Sequence, residues 1–196
     1  MNQWSFLVLD DQSTIIGIRD KGNHYVVQKE NMGEELEPVE FEGKMTHVNT
    51  LLVNESDDIL MTGEDNKSEG RVVQYVLSKG TIKKDYGPVD VGKVLCSKRI
   101  DNLCFFGGMN GSVRVIDTKK QEIVCDPIET CIGDIYQLEI CLVEEDKTKV
   151  MLAVGGRDMD HSDMSEIKSD YFDVTGLVKK VSVKRLSNHK ERNFEL

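Results

Sequence analysis

The 196-residue sequence predicts an all-β protein made of short antiparallel strands. Its apolar runs are rich in β-branched and aromatic residues, and Gly, Asp, Asn and Ser interrupt them, which is typical of strands joined by tight turns. No stretch sustains the 3.6-residue periodicity of an amphipathic helix. A chain of this length can bury a sizeable core, so we expect one globular unit.

Four segments repeat the same order of features along the chain. Each has an apolar run, a second run that ends in glycine, a polar turn and a third β-rich run. The glycine landmarks are Gly17, Gly63, Gly107 and Gly155. They are separated by about 44 to 48 residues, close to the ~40–45 residues of a four-stranded propeller blade. The repeat therefore predicts a β-propeller of four blades, each a four-stranded antiparallel sheet.

The predicted domain organisation follows from this repeat. The blades cover residues 1–43, 44–89, 90–132 and 133–186, and a basic tail follows at 187–196. The third blade is the clearest, with strands predicted at 92–98, 102–107, 112–117 and 122–125. The last strand of the fourth blade is predicted at 181–186.

The third unit carries the most specific pattern. Residues 103–117 read LCFFGGMNGSVRVID, an apolar strand, two glycines, an Asn-Gly turn and a strand that ends in Ile116 and Asp117. This order resembles a WD40 repeat, with Ile116-Asp117 in place of the family's Trp-Asp pair. His47 stands near the position of the family's Gly-His pair. The resemblance covers residues 1–186 and implies a non-catalytic scaffold that binds proteins within a multi-protein assembly.

The number of blades predicts an open or partial ring. WD-type rings usually close with seven or eight blades, and an incomplete ring leaves apolar inter-blade surface uncovered. Further blades, a second copy or another chain could complete it, and a small closed ring of four blades is the alternative. Because the first strand is predicted to begin at Ser5, we expect no earlier strand to close the ring.

Charge narrows the classes of partner. A formal net charge of −10 disfavours a phosphate-binding surface, so nucleic acid is not expected. Residues 178–196 are locally basic, which leaves the alternative of a cytoskeletal or ciliary subunit whose tail docks on an acidic filament. A solvated chain end is the simpler interpretation.

The sequence predicts a cytoplasmic location, with a cytoskeletal or ciliary one as a variant. It has neither the signal-peptide pattern nor the ~18 apolar residues of a membrane span. The five cysteines form no CxxC pair. Three of them, Cys96, Cys104 and Cys141, lie in apolar runs, and we expect these to be buried free thiols in a reducing compartment.

The sequence offers candidate binding residues but no catalytic motif. The enlarged loop after Gly155 is the best candidate for partner contacts, through Arg157, Asp158, Asp160, His161 and Asp163. Cation binding by Asp158, Asp160, His161 and Asp163 is an alternative, although the loop does not fit the EF-hand template. The aromatic residues considered as anchors, if exposed, are Trp4, Tyr25, Tyr75 and Tyr136.

Enzymatic function is not expected. The sequence contains no nucleophile elbow, zinc-hydrolase motif or phosphate-binding loop. We therefore predict no catalytic residue, no cofactor and no metal. An enzyme or small-molecule binder that uses the propeller channel remains an alternative, but the runs expected near the axis, at 6–9, 50–53 and 138–141, are largely apolar.

Overall fold

The structure is a computed structural model, and it contains strands almost throughout its described part. It describes residues 4–8, 14–21, 24–31, 34–35, 39–43, 47–53, 58–65, 67, 69–142, 149–158 and 167–178. Within these ranges the chain forms seventeen strands and one helical turn. Consecutive strands pair antiparallel in four separate sheets, which we call the first to fourth blades.

The first two blades cover the N-terminal half. The first contains β1 (Trp4–Val8), β2 (Thr14–Lys21), β3 (His24–Asn31), β4 (Glu34–Glu35) and β5 (Val39–Glu42). Both β4 and β5 pair with β3, so the outermost strand of this blade is split in two. The second blade contains β6 (His47–Val53), β7 (Asp58–Glu64), β8 (Gly70–Val76) and β9 (Thr81–Pro88), paired in that order.

The third and fourth blades follow the same plan. The third contains β10 (Val94–Ile100), β11 (Leu103–Gly108), β12 (Ser112–Asp117), β13 (Glu122–Ile123) and β14 (Ile128–Glu129), and its last two strands both pair with β12. The fourth contains β15 (Asp134–Leu142), β16 (Val150–Arg157) and β17 (Ile167–Asp173), followed by the helical turn α1 (Thr175–Val178). The strand predicted at 181–186 lies outside the described residues.

The arrangement of the sheets confirms the predicted fold class. The innermost strands β1, β6, β10 and β15 contact one another in chain order, as blades around a propeller axis do. Among the described residues no strand pairing joins the fourth sheet to the first. The molecule is therefore an all-β propeller of antiparallel blades in an open arrangement.

A β-bulge recurs in the innermost strand of three blades and fixes which residues are equivalent. The pairs just before the bulge are Val48–Gly63, Val94–Gly108 and Ile135–Gly156. Gly63 is thus equivalent to Gly108 and Gly156, rather than to Gly107 and Gly155 as the sequence repeat predicted. A bulge adds a residue to one strand only, and spacing between glycines does not reveal it.

The core lies between blades. One cluster joins the second and third blades and includes Leu60, Val72, Val94, Cys104 and Phe106. A larger cluster joins the third and fourth blades and includes Phe105, Val113, Val115, Ile135 and Leu152. Strand β11 is consequently buried on both faces, since Cys104 and Phe106 face one neighbour while Phe105 faces the other.

The cysteines divide by their exposure. Cys104 is buried and Cys96 is largely buried, and burial raises the pKa of each thiol to about 12 from an ordinary value near 9. Cys131 and Cys141 are exposed, which corrects the prediction that Cys141 is buried. Position 141 lies on the face of β15 opposite the core, a distinction that an apolar run does not show.

This division predicts a graded reaction with a thiol reagent such as 5,5′-dithiobis(2-nitrobenzoate) at pH 8. Cys131 and Cys141 should react first, whereas Cys96 and Cys104 should react only in denaturant, because their folded state favours the protonated thiol. The same shift makes stability depend on pH. Below about pH 9 these thiols are protonated in both the folded and the unfolded chain, and the free energy of unfolding falls as the pH rises from there towards 12, because only the unfolded thiols ionise. Rapid reaction of all the cysteines in the native protein would contradict the described packing.

Candidate interaction face of the fourth blade

The fourth blade has one face against the third blade and one face turned away from it. Along β16 the residues Val150, Leu152, Val154 and Gly156 are buried, and the residues between them are less so. The strand pairings extend the second set across the sheet. We call this surface the outward face; it consists of Gln137, Glu139, Cys141, Met151, Ala153, Gly155, Arg157, Ile167, Ser169, Tyr171 and Asp173.

Large side chains are exposed on and beside this face. Ile167 is 85% exposed, Tyr171 is 62% exposed, and Tyr136, at the bulge of β15, is 50% exposed. A groove of about 400 Å³ lies among them, lined by Tyr136, Gln137, Gly155, Gly156, Arg157 and Ile167. We call it the Gly155 groove, because Gly155 and Gly156 supply its backbone lining without a side chain.

Tyr136 and Arg157 form one wall of the Gly155 groove. The guanidinium carbon of Arg157 lies 5.8 Å from the centroid of the Tyr136 ring, within cation–π range. The Tyr136 hydroxyl donates a hydrogen bond of 3.1 Å to Oδ2 of Asp134. Partial desolvation and the hydrogen bond to the Asp134 carboxylate raise the pKa of Tyr136. The pair presents a cation held on an aromatic surface.

The charges around the groove are mostly paired. Glu139 accepts from Lys98 of the third blade at 2.7 Å, and Lys168 pairs with Asp158. Arg157, by contrast, makes no ion pair with any residue that the structure describes. Its exposed guanidinium therefore has hydrogen-bond donors and positive charge available for an anionic group of a ligand.

The outward face differs in chemistry from the equivalent face of the third blade. That face is covered by the fourth blade and presents Cys96, Phe105, Val113 and Val115, of which the last three are fully buried. By register, the equivalent residues of the fourth blade are Gln137, Ala153, Ser169 and Tyr171. Polar or small residues replace three of the four apolar ones.

The structure brings two of the sequence-predicted binding residues together. Tyr136 and Arg157 are in contact, and Asp158 lies next to them, paired with Lys168. Asp160, His161 and Asp163 lie outside the described residues. Trp4 and Tyr25 lie in β1 and β3, but their side chains are not among those described.

Tyr75 is not an exposed anchor. It is fully buried, and its ring meets that of Phe41 edge-on at a centroid distance of 5.1 Å. Tyr75 lies at the contact between the first and second blades. This corrects its selection from the sequence as a possible exposed anchor. The reason is that β8 is covered on both faces, so alternation along the strand leaves its central positions without an exposed face.

Sequence reasoning did not select Ile167, Tyr171 or Gln137. The signal that points to them is the comparison between units, since Val115 and Cys96 of the third blade become Tyr171 and Gln137 in the fourth. That comparison requires the register of each hairpin.

Within the described part of the chain, no group of three or more His, Cys, Asp or Glu side chains could hold a metal ion. Nor does any described helix have the length and apolar character to cross a membrane.

Comparison with known proteins shows similarity of structure. No protein-family model and no curated protein matches the chain. Among solved structures it resembles U3-55K, with 12% identity and a TM-score of 0.59 over 87% of this chain and 52% of that one. It resembles the WD40 β-propeller domain of Doa1, with 10% identity and a TM-score of 0.55 over 84% and 52%.

A designed protein is also similar. The computationally designed Ika4 matches with 12% identity and a TM-score of 0.51, over 82% of this chain and 86% of that one. This chain spans about half the length of the U3-55K and Doa1 chains. The fold of the chain is therefore that of a run of WD40-like β-propeller blades.

Proposed function

We propose that this chain is a non-catalytic protein-interaction scaffold and that the outward face of the fourth blade is a surface through which it binds another protein. The observation that carries the proposal is the uncovered face itself. It belongs to a blade whose opposite face packs against the third blade, and it exposes Tyr136, Arg157, Ile167 and Tyr171 on and around a groove.

The composition of this surface supports protein binding. Tyr and Arg are enriched among the residues that dominate binding energy at interfaces, and such residues cluster around pockets. Ile167, which is 85% exposed, lines the Gly155 groove together with the exposed Tyr136, and the two side chains make an apolar patch. Patches of this kind, rimmed by polar residues, mark contact sites on soluble proteins.

The proposed scaffold works within a larger assembly. The chain has a similar fold to about half of each of two longer propeller chains. Its partner would then cover surface that neighbouring blades cover elsewhere in the molecule. A second copy of the chain and a different protein are both compatible with this function, and the following experiment distinguishes them.

Photo-crosslinking tests the proposal. We expect p-benzoylphenylalanine placed at Tyr171 or Ile167 to give covalent adducts with a partner in cells that express the chain. The same group at Lys120, an exposed residue of the third blade, is the matched control and should give none. Mass spectrometry of the adducts separates a second copy from another protein. Equal labelling at all three positions, or none at 171 and 167, would refute the proposal.

A further inference from the structure

The Gly155 groove has filled counterparts at two interfaces, between the second and third blades and between the third and fourth. In the third blade, a Cβ on Gly107 would lie only 2.7 Å from Cγ2 of Ile135, so this side chain of the fourth blade fills the space over Gly107. Val94 is equivalent to Ile135 and packs in the same cluster as Leu60 and Val72 of the second blade. The interface between the second and third blades and that between the third and fourth thus each receive a branched aliphatic side chain from the next innermost strand.

In the fourth blade the same position is open. Gly155 is equivalent to Gly107, and a Cβ built on it would meet only Cβ of Gln137, at 3.7 Å. No described residue lies over it. The Gly155 groove is therefore the fourth blade's version of the site that holds Ile135 on the third blade. A branched aliphatic side chain has the right shape to occupy it.

The neighbouring charge indicates what should precede that side chain. In the second blade, Glu64 forms an ion pair with Lys93, the residue directly before Val94. Arg157 occupies the position of Glu64 in the fourth blade and carries the opposite charge. In the third blade the equivalent residue is Met109, which is uncharged and cannot form this ion pair. By charge complementarity, Arg157 favours an acidic residue directly before the aliphatic one.

We propose that the outward face of the fourth blade binds an extended strand of another protein in which an acidic residue directly precedes isoleucine or valine. The aliphatic side chain fills the Gly155 groove, and the carboxylate pairs with Arg157. The proposal rests on the proposed function and specifies its partner. Docking of a second copy through its first strand is disfavoured, because that strand, WSFLV, contains no acidic residue.

Three labelled ten-residue peptides test this specificity against the full chain by fluorescence anisotropy. They share a Ser/Thr background and differ at two central positions, which are Asp-Ile, Lys-Ile or Asp-Ala. We expect the Asp-Ile peptide to bind roughly tenfold more tightly than either of the others, since each lacks one of the two contacts.

Variants of the protein separate the two contacts. Gly155→Val should abolish binding of all three peptides, because its side chain occupies the groove. Arg157→Glu should reverse the charge preference, so that the Lys-Ile peptide binds more tightly than the Asp-Ile peptide. Lys120→Glu makes the same charge change on the third blade and should leave all three affinities unchanged. Thermal unfolding confirms that each variant is folded.

The peptide-binding and crosslinking experiments can fail independently of each other. Equal affinity for the three peptides, unchanged affinity of Gly155→Val, or no binding of any peptide would overturn this inference. Crosslinks at Tyr171 and Ile167 would in that case still support a scaffold with a different partner. Loss of those crosslinks as well would mean that the proposed function itself is wrong.

Discussion

Replacing Phe105 by alanine is expected to lower the free energy of unfolding by about 3–5 kcal/mol, the usual cost of removing a buried phenylalanine side chain. Phe105 is fully buried in the cluster between the third and fourth blades. Its neighbours come from two sheets, including Val115 of its own blade and Leu152 of the next. The sheets cannot collapse around the resulting cavity without losing their register, so most of this cost should be retained.

Urea denaturation followed by circular dichroism measures this effect. Tyr171→Ala is the matched control, since Tyr171 is equivalent to Val115 but lies on the outward face and is 62% exposed. Its removal should change the unfolding free energy by no more than about 0.5 kcal/mol, as is usual for surface substitutions. Similar losses for both variants would mean that the outward face is packed in the free protein, contrary to the described structure.

Gly107→Val is expected to destabilise the protein by about 1–3 kcal/mol through overpacking. A Cβ at this position would lie 2.7 Å from Cγ2 of Ile135 and 2.9 Å from Sγ of Cys96. Both neighbours belong to innermost strands that are paired along their length, so neither can withdraw easily. The expected result is separation of the third and fourth blades by a few tenths of an ångström or a strained rotamer.

Gly155→Val provides the direct comparison in the next blade. Its Cβ would meet only Gln137, and valine suits a strand better than glycine does, so we expect little change or a small gain in stability. The difference in thermal midpoint between the two variants measures how closely the third and fourth blades approach. Equal midpoints would show that Ile135 does not fill the space over Gly107.

The sequence contains enough information for the fold but less for the site. The strand Ser112–Asp117 was predicted with its observed bounds, because Gly111 and Thr118 border an alternating run that pairs on both sides. The next strand was predicted at 122–125, yet only Glu122–Ile123 of that range forms β13, and a second short strand, β14, follows at Ile128–Glu129. Pro127 lies between the two and cannot donate a backbone hydrogen bond to β12.

The candidate site depends on how strands pair and on which sheets cover one another. Tyr136 and Arg157 were both selected from the sequence, but their contact requires the pairing of Asp134 with Arg157 and the bulge after Ile135. Residue type alone also could not separate Tyr136 from Tyr75, since both are tyrosines in β-rich runs. What distinguishes them is whether another sheet covers their face, which is a property of blade order.

The alternating burial of β16 has a consequence for how binding and folding are linked. In a row of units that stabilise only their neighbours, a unit covered on one side opens more readily than one covered on both. Backbone amides of β16 should therefore exchange with solvent faster than those of β11. A partner that covers the outward face would slow this opening. Binding would therefore slow amide exchange throughout the fourth sheet, including at residues that do not touch the partner.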